Sequence, residues 1–120
     1  MKQSIHTDIQ NIRQIQKYIA DLKTIMSGID TWESLRDSMC EKYAVTQIIT
    51  NICECDKNLQ SDAPVQLPDM RRVRNINSHN YMGVDFKITF NVCQSLIRED
   101  MTKCLKESLK QLKNTLASLS

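Results

Sequence analysis

Between Ile5 and Met26 an apolar residue recurs at every third or fourth position: Ile5, Ile9, Ile12, Ile15, Ile19, Leu22 and Met26. Those steps match the 3.6-residue turn of an α-helix and gather the side chains into one stripe. A strand, whose side chains alternate with period two, would scatter them over both faces. Lys, Arg, Gln and Asp fill the other face, so the helix is amphipathic and must bury its stripe against something of similar length. Ser4 offers a cap at its start and Gly28 a stop at its end.

The rest of the chain repeats this pattern in shorter pieces. Asp30-Thr31-Trp32-Glu33 resembles a capping box with Asp30 as the cap, opening a short helix that carries Trp32, Leu35 and Met39. Trp32 reads as a core or interface anchor. A third run, Glu41 to Leu59, has the stripe Val45, Ile48, Ile49, Ile52, Cys53 and Leu59. Gln60 to Leu67 is a loop bracketed by Pro64 and Pro68, and Pro68 suits the first turn of a short helix reaching Ser78, with Met70 and Val73 inward. A turn from His79 to Asp85 follows, and Asp85 caps the last helix. The buried side of that helix is marked by Phe86, Phe90, Cys93, Ile97, Cys104, Leu105, Leu109, Leu112, Leu116 and Leu119, with a break or bend at Arg98-Glu99-Asp100. The expected fold is all-α: an antiparallel bundle of four to five helices forming one domain over residues 1–120. The stripes are wide enough to leave Ile and Leu exposed, which predicts a two-fold homodimer.

Composition excludes alternatives. Two Gly, two Pro and 5% aromatic residues are too few for the turns of a sandwich or barrel. A net charge of +2 does not announce nucleic acid by itself, although Arg71, Arg72 and Arg74 cluster. The cysteines are five, an odd number with no zinc-like spacing, and read as reduced, mostly buried thiols of a cytoplasmic protein. No apolar run is long enough for a membrane span or a signal peptide.

One short span is chemically crowded. Arg74-Asn75-Ile76-Asn77-Ser78-His79-Asn80-Tyr81 places an arginine, a histidine, a tyrosine and three asparagines together. The guanidinium is always charged and presents a fork of donors suited to phosphate. Imidazole gives or takes a proton near neutrality. Together they suggest chemistry on a phosphodiester. On an unbroken helix Arg74 and His79 would stand roughly 140° apart, so they act together only if the helix ends near Ser78 or a second copy of the chain completes the site. Glu54 on the third helix is a candidate carboxylate to orient the arginines; the plainer reading is an exposed helix surface. For Arg74 and His79 the plainer reading is a polar helix end capping its own carbonyls. His6 reads as a surface residue. No carboxylate cluster calls for a metal ion, and no cofactor is expected.

The pattern Arg74-Asn75, three residues, His79, any residue, Tyr81, followed by Met82-Gly83-Val84-Asp85, resembles the signature of HEPN domains, and among them the HepT-like toxins encoded beside a minimal nucleotidyltransferase antitoxin. Ala44 to Leu59 resembles the third helix of that family, with Cys53-Glu54-Cys55 where Gly-Glu-Ala is common, and Asp69 replaces the tryptophan that often follows Pro68. The resemblance implies a metal-independent endoribonuclease in which Arg74 and His79 from two subunits share a dimer cleft, supported by Asn75. It also implies that Tyr81 is the site at which the nucleotidyltransferase partner adenylylates and silences the toxin; the plainer reading of Tyr81 is a partly buried tyrosine with its hydroxyl bonded to backbone. The alternative is a non-catalytic helical module that binds a nucleotide or protein through the same cleft.

Overall fold

The computed structural model describes residues 2–60, 67, 68, 70 and 85–119. Among them the chain forms five helices and no strand: α1 (Lys2–Met26), α2 (Trp32–Asp37), α3 (Glu41–Lys57), α4 (Phe86–Leu96) and α5 (Glu99–Leu119). The long helix α1 is the spine, packing along α3 and α5, while α2 packs on α4 and α3. Two contacts fix the directions. The Gln60 backbone N–H donates to Asp8 Oδ1 at 2.7 Å, bringing the chain leaving α3 to the beginning of α1. Lys23 Nζ donates to Thr102 Oγ1 at 3.4 Å, setting the end of α1 beside the start of α5. Both α3 and α5 therefore run antiparallel to α1.

The stripe of α1 is buried at every predicted position, with Ile12, Ile15 and Leu22 wholly inaccessible. They meet Val45, Ile49 and Ile52 of α3, Leu35 of α2, Cys93 and Leu96 of α4 and Leu105 of α5 in one core. Each fully buried aliphatic side chain contributes about 1.5–3 kcal/mol relative to exposure, and that burial holds the bundle together. Two threonines sink into the core at little cost. Thr46 donates its hydroxyl to the Lys42 carbonyl at 2.8 Å, and Thr89 to that of Asp85 at 3.2 Å.

Helix ends account for most departures from expectation. Helix α1 begins at Lys2, so Ser4 lies inside its first turn rather than capping it. Gly28 follows the end of α1 without adopting a left-handed backbone. The cap of α2 is Thr31, not Asp30: its extended backbone lets Oγ1 accept from the Ser34 N–H at 3.1 Å. Helix α2 stops at Asp37 because Ser38 turns extended. The Ser38 hydroxyl donates to the Leu35 carbonyl at 2.6 Å and accepts from the Lys42 N–H at 3.0 Å, joining α2 to α3. Met39 thus falls outside the helix and is 85% exposed, not buried. Trp32 is half-buried, with the Arg36 guanidinium 5.1 Å from its ring centroid. Leu59 lies just past α3 and packs half-buried against the core.

The last helical stretch divides, as expected, before Glu99: the Ile97 N–H still reaches the Cys93 carbonyl at 3.0 Å, and a new helix opens from Arg98. The buried side of α4 is rotated from the predicted one. Thr89, Val92, Cys93 and Leu96 face the core, and Phe86, Phe90 and Ile97 flank it half-buried. Leu119, counted among the buried positions, is exposed because it lies in the final turn of α5 beyond the facing helix. Ile25 and Ile88, which lie outside the predicted stripes, are half-buried rather than exposed. Met39, Tyr43 and Leu119 are the exposed large apolar side chains among the described residues. No helix among the described residues is long and apolar enough to cross a membrane.

Candidate functional site

The crowded span is reached from two directions, and the described residues define both approaches. On the entry side, α3 ends at Lys57 and the Gln60 N–H is gripped by Asp8. Leu67 then packs half-buried on the core, and Met70 is only 5% exposed. On the exit side, the Asp85 carboxylate accepts from the Lys87 N–H at 3.0 Å and the Ile88 N–H at 3.3 Å, fixing the start of α4 as the sequence predicts. Arg74, Asn75, His79 and Tyr81, with Arg71, Arg72, Val73 and the helix expected over 68–78, lie outside the described residues. Glu54 is described: it is exposed on the last turns of α3.

Asp8 is the residue that the sequence reading passed over. It is wholly inaccessible in the middle of the α1 stripe, between Ile5 and Ile12. A carboxylate is almost never buried without partners, and here it holds the backbone at the root of the segment leading to Arg74. The signal was available, since an Asp three residues after Ile5 and four before Ile12 falls on the apolar face of the helix. Asp8→Ala is expected to cost about 1.5–3 kcal/mol, the scale of a hydrogen bond to a charged group. Asp8→Asn, which keeps an acceptor, should lose less. Urea denaturation of both variants checks the difference, and equal losses would remove the clamp from the account.

The remaining chemistry of the described residues is narrow. All five cysteines are free thiols. Cys53 and Cys93 are buried and Cys55 and Cys104 half-buried; Cys40 is the exposed one. Cys40 sits in the exposed joint between α2 and α3, where no helix covers it. Burial pushes the Cys93 thiol up to about 12, and burial, then the neighbouring Glu54 charge, raises that of Cys55. Both are therefore protonated at neutral pH and unsuited to act as thiolate nucleophiles. Partial burial raises the Asp56 carboxyl. Among the described residues no group of three His, Cys, Asp or Glu side chains is placed to hold a metal ion.

A family model described as "Ribonuclease HepT-like" matches residues 15–117, a span that includes Arg74 to Tyr81. No curated protein and no solved structure matches the chain.

Proposed function

Because the chain belongs to the HepT-like ribonuclease family, we propose that it is a metal-independent endoribonuclease, the toxin of a toxin–antitoxin pair, working as a two-fold homodimer. The observation that carries the reading is the Arg74-Asn75-x3-His79-x-Tyr81 pattern lying inside the matched span.

Internal cleavage of RNA needs a base to take the 2′-OH proton, an acid to protonate the 5′-oxygen that leaves, and positive charge on the phosphate in the transition state. The attacking 2′-oxygen forms a bond to phosphorus as the 5′-oxygen departs, so the product is a 2′,3′-cyclic phosphate and a free 5′-hydroxyl. One chain has two histidines, and His6 is exposed near the start of α1. A two-fold axis supplies the second imidazole: His79 from one subunit acts as base and its twin as acid, while the two Arg74 guanidinium groups hold the phosphate. Asn75 supports that arrangement by hydrogen bonding, and Glu54 is the carboxylate proposed to orient the arginine cluster. Tyr81 is proposed as the residue that a nucleotidyltransferase antitoxin adenylylates. An added phosphate two residues from His79 would repel the RNA backbone and fill the cleft.

The reading is tested by incubating the purified chain with RNA, with and without a chelator. Cleavage is expected at equal rates in both, leaving 2′,3′-cyclic phosphate ends. Cleavage that stops on chelation would overturn the metal-independent mechanism. A protein that never cleaves but binds nucleotides or a protein partner tightly would put the non-catalytic module in its place.

A further inference from the structure

The end of α5 and the beginning of α1 enclose a cleft that the proposed nuclease chemistry does not use. It holds about 500 Å³ and is lined by Lys2 and His6 of α1 and by Lys113, Leu116 and Ala117 of α5. Lys2 and His6 are four residues apart and so stand on one side of their helix. Lys113 approaches from the antiparallel partner. Among the described residues no carboxylate shares the lining. The two lysine charges brought together in this way repel one another, an arrangement that an anion relieves.

The cleft also ends a longer feature. Lys103, Lys106, Lys110 and Lys113 follow at steps of three, four and three, all exposed, and form an edge along one side of α5. At 1.5 Å per residue that edge is about 15 Å long, enough to follow several phosphates of a nucleic-acid strand. Its far end is partly compensated, since Glu99 lies 3.9 Å from Lys103 and Glu107 stands within one turn of both Lys103 and Lys110. The Lys113 end, facing Lys2 and His6, is where positive charge gathers over an apolar floor.

We propose that this cleft is a phosphate subsite for single-stranded RNA, with the lysine edge of α5 continuing it as a track for the backbone. The choice of RNA among polyanions rests on the ribonuclease reading; the site itself rests on the convergence of Lys2, His6 and Lys113. Lys2 and His6 precede the span matched by the family, whereas Lys113, Leu116 and Ala117 lie within it.

The test measures binding, not cleavage. A fluorescent single-stranded RNA of about 12 nucleotides is titrated with the full chain carrying His79→Ala, between roughly 50 and 200 mM KCl. Each lost phosphate contact flattens the logarithmic salt slope by about 0.7. Lys2→Gln with Lys113→Gln should therefore flatten it by about 1.4, which corresponds to roughly 25-fold weaker binding at 0.1 M than the parent, taking 1 M as the reference. Lys42→Gln with Lys57→Gln removes the same charge from α3 and should weaken binding less than about threefold. Lys2→Arg with Lys113→Arg keeps the charge and the fold and should bind like the parent. An unchanged slope in the glutamine pair, equal loss in the α3 pair, or no RNA binding by the parent would each overturn the subsite. Failure of the wild-type chain to cleave RNA would instead count against the nuclease reading and leave this comparison intact.

Discussion

Replacing His79 with alanine is expected to slow RNA cleavage by about 10²- to 10⁴-fold, the usual worth of a positioned general acid or base. The upper part of the range applies if the two imidazoles of a dimer act as base and acid, because one substitution then removes both. Few other groups among those described can stand in. His6, the other of the two histidines, lies in the cleft at the beginning of α1, so His6→Ala acts on RNA binding and, at saturating protein, should leave the cleavage step within a factor of about three. Cys93 and Cys55 are held as neutral thiols by burial, so neither offers a thiolate base or nucleophile near pH 7. A labelled RNA cleaved under single-turnover conditions gives the comparison directly. Far-UV circular dichroism checks that the variant remains helical. Equal rates in the two proteins would remove His79 from the chemistry, and with it the two-imidazole mechanism.

How much of this was legible beforehand follows from where the physics is local. The α1 stripe repeats at helical spacing for about six turns, and every position it marked is buried. The Asp85 cap is equally local, a carboxylate reaching N–H groups two and three residues on. The cap of α2 slipped by one residue because Asp30 and Thr31 are both good caps, and the choice depends on which backbone turns extended. Met39 was misplaced for a similar reason: its spacing from Leu35 is helical, but Ser38 spends its hydroxyl on joining α2 to α3 and ends the helix first. In α4, Phe86, Ile88, Phe90, Val92, Cys93, Leu96 and Ile97 offer apolar groups nearly all round, so spacing alone did not select the inward face; packing on α2 did. The residues proposed for catalysis were read from an identity pattern, not from periodicity, and on the proposed reading Arg74 and His79 would meet only through a second subunit or a helix end. The place of Asp8 on the apolar face was legible, but its partner Gln60 and the meeting of Lys2 with Lys113 were not, because each joins residues more than fifty positions apart and no window along the sequence contains both partners.

Ile12→Ala is expected to destabilise the fold by about 2–5 kcal/mol, a loss comparable with the whole stability of a marginal domain. Ile12 is wholly inaccessible, so truncating it removes buried methyl and methylene groups and leaves a cavity where α1 meets its neighbours. The position is informative because it precedes Ile15, where the family match begins. If the first three turns of α1 were an ornament on a bundle complete without them, truncating Ile12 would cost little. Their burial says otherwise: Ile5, Ile9 and Ile12 belong to the same core as Leu105, Leu109 and Leu112 of α5. Met39→Ala supplies the contrast. That side chain is 85% exposed in the joint between α2 and α3, and its loss should change stability by no more than about 0.5 kcal/mol. Urea titrations of the two variants at one protein concentration would show the difference as a fall in midpoint for Ile12→Ala with an unchanged slope. A midpoint for Ile12→Ala within error of that for Met39→Ala would mean that the bundle closes without the beginning of α1. The clamp of Asp8 on Gln60 and the basic cleft at Lys2 and His6 would then lose the scaffold on which both depend.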